Sequence, residues 1–173
     1  MKVQPVAGAT FGGSSTIHEW LMKTRALPQY GRGFAIPKDS GAKTALARLL
    51  TAIFASLQNL EVILFISEWG VWPSSENMEL FDSYRLAKGE HRELQEAPIH
   101  RFTSATDPAL TGILCLALYF VWDVELFDLE GKCSVSLSHD EWLEIRTTDP
   151  SILEICDLAV QTRRLMPLQA ISA

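Results

Sequence analysis

Residues 60–67 read Leu-Glu-Val-Ile-Leu-Phe-Ile-Ser, an apolar, β-branched and aromatic run of strand length with large side chains on both sides of its alternation. Such a run predicts a central strand covered on both faces, so the chain must supply layers of structure to cover it. The strand ends abruptly. From Glu61 to Asn77 the sequence is EVILFISEWGVWPSSEN, so the apolar run empties into a turn carrying two tryptophans and a cluster of polar residues.

Helical signals surround this strand. From Ala42 to Leu57, Leu46, Leu49, Leu50, Ile53 and Leu57 recur at spacings of three and four, predicting a well-buried amphipathic helix. Ser74 or Ser75 can cap a further helix running to Lys88, with Met78, Phe81 and Tyr84 inward and Gly89 just past its end. Asp107-Pro108 and Asp149-Pro150 each place a capping carboxylate before a proline at the first helical position, opening two more helices. Thr16-Ile17-His18-Glu19 is a capping box for a short helix to about Ala26, and Ser138-His139-Asp140-Glu141 has the same form, with Leu137 and Trp142 placed to staple it. Strand signals add Arg32–Ile36 as a short edge strand, Ile99–Thr103, and a hairpin of Asp123–Asp128 with Lys132–Leu137.

This order predicts an α/β or α+β fold: a single-domain mixed sheet of four to five strands covered by helices, with a C-terminal hairpin and helix. The expected boundaries are a tail over 1–15, one globular domain over 16–166 and a second tail over 167–173. At 173 residues and 47% hydrophobic, the chain is long enough to bury a proper core. Its longest uncharged apolar run, Ala109–Trp122, falls short of the roughly 20 residues that cross a bilayer, so no membrane association is expected. No apolar targeting region precedes Gly12, and the expected location is the cytoplasm.

A net charge of −6 argues against nucleic-acid binding, which needs clustered Lys and Arg. The charge is uneven: residues 1–59 balance to +5, leaving −11 on the remainder. That asymmetry suits a charged protein partner, or an oligomer in which the basic part of one chain meets the acidic part of another. Cys115, Cys133 and Cys156 lack any C-x-x-C spacing and read as reduced structural thiols; only Cys133, beside Lys132, approaches an activating environment. His18, His91, His100 and His139 lie too far apart for a local metal motif, and neither metal nor cofactor is expected.

Three constellations carry candidate chemistry. Gly41-Ala42-Lys43-Thr44 opens a helix and offers weak anion binding through Lys43 and Thr44, but Pro37 and Ala42 stand where a phosphate loop needs glycine. Ser138-His139-Asp140 cannot act as a triad, because neighbouring residues do not converge; capping explains it and leaves His139 available. The turn after the central strand ranks first. Were that strand parallel, Glu68–Ser75 would lie beyond its carboxyl end, where open α/β sheets place their sites. Trp69 and Trp72 could anchor a partner there, with Ser74, Ser75, Glu76 and Asn77 adding polar groups.

The segments WGVWPSSENMELF, GEHRELQEAPIHRF, VWDVELF and LSHDEWLEI together resemble a family of uncharacterised bacterial proteins sharing W-P-S-S-E-N, E-A-P-x-H and S-H-D-E-W segments in this order. The resemblance covers roughly the C-terminal two-thirds and implies a bacterial protein without an assigned activity. The sequence thus supports a non-catalytic binding or regulatory protein, immunity-like in character, holding a protein partner through an acidic, tryptophan-containing surface. The alternative is a small hydrolase or transferase whose site assembles Glu68, Glu76, His91, His100 or His139 across loops.

Overall fold

Asp39, Asp107 and Asp149 each end an extended segment and open a helix by accepting a backbone N–H: from Ala42 at 2.8 Å, Ala109 at 2.8 Å and Ser151 at 2.9 Å. Pro108 and Pro150 occupy positions whose N–H would have no helical partner. The computed structural model describes residues 30–57, 61–68, 78–94, 96–128, 130–162 and 165–168, with Glu68 described by its backbone alone. The Thr16–Glu19 capping box, Trp69, Trp72, Ser74, Ser75, Glu76 and Asn77 lie outside the described residues.

The elements are β1 (Tyr30–Ala35), α1 (Ser40–Ser56), β2 (Val62–Glu68), α2 (Met78–Ala87), β3 (Ile99–Phe102), α3 (Pro108–Phe120), β4 (Asp123–Asp128), β5 (Cys133–Ser138), β6 (Trp142–Thr147), α4 (Pro150–Gln161) and β7 (Met166–Pro167). Gly89, at φ +88°, closes α2 as expected: its N–H reaches the Leu86 carbonyl, and the Glu90 N–H reaches that of Arg85. Gly112 on α3 is a close approach, since a β-carbon there would stand 2.7 Å from the Tyr84 hydroxyl, which donates to the Ala109 carbonyl.

The strands form one sheet in the order β3-β2-β4-β5-β6-β1-β7. Among the described residues this corrects the expected four to five strands to seven, with each pair antiparallel rather than mixed. β2 is interior, as its composition predicts. The segment at 32–36 is not a simple edge, because β7 adds to its outer side through Phe34–Pro167 and Ala35–Met166. Pro167, expected to begin a tail, is therefore part of the sheet.

The largest correction lies at 138–147. Ser138–Glu141 is a turn between β5 and β6, not a helix start: the Glu141 N–H donates to the Ser138 carbonyl, and Glu141 adopts φ 62°. Leu137 pairs across the strands with Leu143 instead of stapling onto Trp142. Serine, aspartate and glutamate serve helix caps and turns alike, so the following residues settle the structure. Trp142–Thr147 alternates half-buried with buried, at period two.

Alternation assigns the two faces. One carries Leu64 and Ile66 of β2, Phe102, Val124, Leu126, Val135, Leu137, Leu143 and Ile145, all in one buried cluster with residues of α1, α2, α3 and α4. Each fully buried Leu, Ile or Phe there contributes about 2 kcal/mol. Ile63 and Phe127, paired across β2 and β4 and likewise buried, lie outside that cluster on the opposite face.

Asp128 holds the β4–β5 hairpin. Fully buried at the end of β4, it accepts from the Glu130 N–H at 2.9 Å and the Cys133 N–H at 2.6 Å, while Gly131, at φ 72°, returns its N–H to the Asp128 carbonyl. Replacing the carboxylate strands the buried Cys133 donor. Asp128→Ala is expected to cost about 3 kcal/mol in urea unfolding; a loss below about 1 kcal/mol would remove Asp128 as the hairpin's anchor.

Candidate functional site

The register brings three sequence-predicted elements to one end of the sheet. β2 arrives there at Glu68, whose backbone pairs with Asp123, and the chain enters residues 69–77 immediately beyond. β4 starts there, and β5 ends there at Ser138. The antiparallel arrangement removes the parallel-strand premise on which 68–75 was ranked; among the described residues, Glu68 pairs with Asp123, the partner of another candidate, His139.

His139 is held by Asp123. Its backbone N–H donates to Asp123 Oδ1 at 2.6 Å, and its Nδ1 lies 2.9 Å from Oδ2. Its Nε2 lies 3.7 Å from Asp140 Oδ1, and the side chains of His139 and Asp123 are 30% and 21% exposed. Asp123 thereby assigns the Nδ1–H tautomer to a neutral ring. An oriented Asp–His pair of this kind can serve a general base or a pH-dependent contact. Sequence reasoning found His139 but not Asp123, although continuing the predicted hairpin register beyond Val124–Leu137 places Asp123 beside Ser138.

Around the same turn lies an acidic surface. Asp140 and Glu141 have side chains 72% and 51% exposed and immediately precede a half-buried Trp142, with Glu144 two residues further along β6. Lys38 approaches Glu141 at 3.7 Å, and Arg146 closes on Glu144 at 2.9 Å.

The remaining candidates lie elsewhere. His91 is exposed on the connection after α2. His100, expected in a solvated loop, is instead buried in β3, where Arg85 Nε donates to its Nε2 at 3.2 Å. The accepting nitrogen makes the ring neutral, and burial followed by the nearby Arg85 charge lowers its pKa to about 4. Arg85, itself buried, also donates to the Ala97 carbonyl at 3.1 Å and lies 5.7 Å above the Phe81 ring. Beside them Glu90 takes two bonds from the Arg92 guanidinium, at 2.9 and 2.7 Å, which hold its carboxyl down to about 2. These groups form a structural network under α2. Only β3 packing against α2 unites Arg85 with His100, so local sequence carried no signal of it.

At the start of α1, the Asp39 carboxylate already occupies the Ala42 N–H that an anion would use. Lys43 Nζ lies 5.9 Å over the Tyr119 ring, and the Thr44 hydroxyl donates to the Ser40 carbonyl. The Cys133 thiol is sealed in the core, where burial raises its pKa strongly; Cys156 is raised to about 11, also chiefly by burial. Among the described residues, no three His, Cys, Asp or Glu side chains group to hold a metal ion, and no helix is long and apolar enough to cross a membrane. Comparison with models of known protein families, with curated proteins and with solved structures finds no match.

His100 makes stability pH-dependent. Its folded pKa of about 4 lies below the ordinary 6.5, so the unfolded chain binds the proton more readily between those values. Stability is complete above pH 6.5 and falls as the pH drops towards 4, by roughly 2 to 3 kcal/mol between pH 7.5 and 4.5. His100→Gln retains an acceptor for Arg85 without titrating, and should remove most of that slope in urea unfolding. Equal slopes in the two proteins would show that His100 is not the responsible group.

Proposed function

We propose that this chain is a non-catalytic binding or regulatory protein that holds a protein partner through the acidic, tryptophan-containing surface at the His139 end of its sheet. The observation that carries this reading is the β5–β6 turn, where exposed Asp140 and Glu141 immediately precede half-buried Trp142. An aromatic anchor rimmed by charge is the arrangement that concentrates binding energy at interfaces, and carboxylates select a basic surface opposite. The net charge of −6 and the resemblance to uncharacterised bacterial proteins agree with a bacterial setting and a basic partner. Trp69 and Trp72 join this reading because their segment begins one residue past Glu68, at the same end.

Affinity capture from a bacterial lysate with the wild-type chain, Trp142→Ala and Trp72→Ala tests it. A partner retained by the wild type should bind Trp142→Ala roughly 30-fold more weakly, the equivalent of losing about 2 kcal/mol at a central anchor. Its association should also slow as salt rises from 0.05 to about 0.5 M, because the carboxylates steer the encounter. Identical partner profiles for Trp142→Ala and wild type, with unchanged melting temperatures, would sink the assignment of this surface.

A second reading, a small hydrolase or transferase, is supported by the Asp123–His139 geometry. In that case Asp123→Asn and His139→Gln should each abolish turnover of an ester or phosphoester panel while leaving partner capture intact. Turnover that survives His139→Gln would reject it.

A further inference from the structure

Seven large hydrophobic side chains among the described residues are exposed, and four of them, Tyr30, Leu158, Met166 and Leu168, gather at the β1–β7 edge of the sheet, each between 46% and 59% exposed. Scattered singly they would need no explanation; gathered, they mark an interaction surface. The geometry joins them. Arg32 Nε stands 3.9 Å from Asp157 Oδ1, which lays α4 along β1 and brings Leu158, the next residue, to the side of the sheet that Tyr30 shares with Arg32. Round the edge, a β-carbon at Gly33 would stand 2.9 Å from Leu168 Cδ1, so Leu168 lies over that glycine on the opposite side, and Met166 pairs with Ala35.

The β7 edge does not invite another strand. The Leu168 N–H donates to the Gly33 carbonyl, so residues 166 and 168 turn their backbone groups towards β1, and Pro167 between them faces outward without an N–H. What docks here must use side chains. Their charge is mixed: Arg32 stands against Asp157 and Glu154 of the exposed α4 stripe, and the Arg32 and Asp157 side chains are 52% and 56% exposed. A basic partner is served better by Asp140 and Glu141 at the β5–β6 turn. A patch that carries both signs around an apolar centre is complementary to itself, which is what a twofold contact requires.

We propose that this edge is the contact between two copies of the chain related by a twofold axis, with Tyr30, Leu158, Met166 and Leu168 as its apolar centre and Arg32 of each copy facing Asp157 of the other. At 3.9 Å within one chain the two groups are too far apart for a closed hydrogen-bonded pair, which leaves both free to turn towards a second copy. Net charge favours the location. Two chains of −6 repel, and they approach most closely where a cation interrupts the acidic surface. The inference does not rest on the partner surface at the β5–β6 turn, because it concerns association of the chain with itself alone.

Sedimentation velocity of the purified full chain over a concentration series provides the test. The wild type should reach twice the mass of one chain by about 100 µM, and Leu158→Asp should weaken the association by roughly tenfold or more while circular dichroism and melting temperature stay unchanged. Arg32→Asp and Asp157→Arg should each weaken it by roughly tenfold as well. An equimolar mixture of those two variants should recover the dimer, because each charge then meets its opposite across the twofold; an ion pair confined to one chain gives no such recovery. A wild type that stays monomeric at about 100 µM, an assembly indifferent to Leu158→Asp, or a mixture no more associated than its components overturns the proposal. Should Leu158→Asp lower the melting temperature, Met166→Lys on the other side of the edge is read in its place.

Discussion

The register of β4 between β2 and β5 is the constraint on which the other features depend. It sets Leu64 opposite Leu126 and Leu126 opposite Val135, so the large aliphatic residues of three neighbouring strands share the face that receives the helices. A slip of one residue would turn Val124, Leu126 and the buried Asp128 carboxylate away from that core and bring Glu125 into it. Asp128 resists such a slip because its two bonds to the turn can form in only one register.

Most polar groups in the apolar layers have their bonding supplied, although His100 Nδ1, Arg101 Nε and Trp122 Nε1 are buried with no hydrogen-bond partner among the described residues. Arg85 reaches His100 and the Ala97 carbonyl, Glu90 is clamped by Arg92, and Thr147 clips the strand end by donating to the Lys132 carbonyl and accepting from the Asp149 N–H. The Arg85 bonds to His100 and Ala97 and the Thr147 bond to Lys132 join separate elements and reinforce the tertiary fold, whereas Glu90–Arg92 and Thr147–Asp149 are local, two residues apart. The Asp123–His139 pair differs by lying at a sheet end, partly open to solvent.

Much of this architecture was legible because helix starts are local. Asp107-Pro108 and Asp149-Pro150 specify their caps within a few residues, and the α1 stripe follows from spacing alone. Ser138–Glu141 misleads for the same reason: its capping groups work equally in a turn, and only the pairing of β6 with β5 and β1 makes it one. β7 is two residues long and has no periodicity to detect; it exists because Phe34 and Ala35 present an open edge. Among the site candidates, His139 was visible as a residue but not as a pair, while His100 looked solvated because nothing near it in sequence announces Arg85.

By itself the sequence determined the four described helices, the interior position of β2, the β4–β5 hairpin and the acidic balance of the chain, since these arise from spacing, capping and composition within short windows. Tertiary structure alone decided the antiparallel order of the seven described strands, which carboxylate meets His139, the burial of His100, and which sheet face the described helices cover. Those depend on contacts between segments tens of residues apart, whose energies come from mutual burial and register and have no value until both partners are in place.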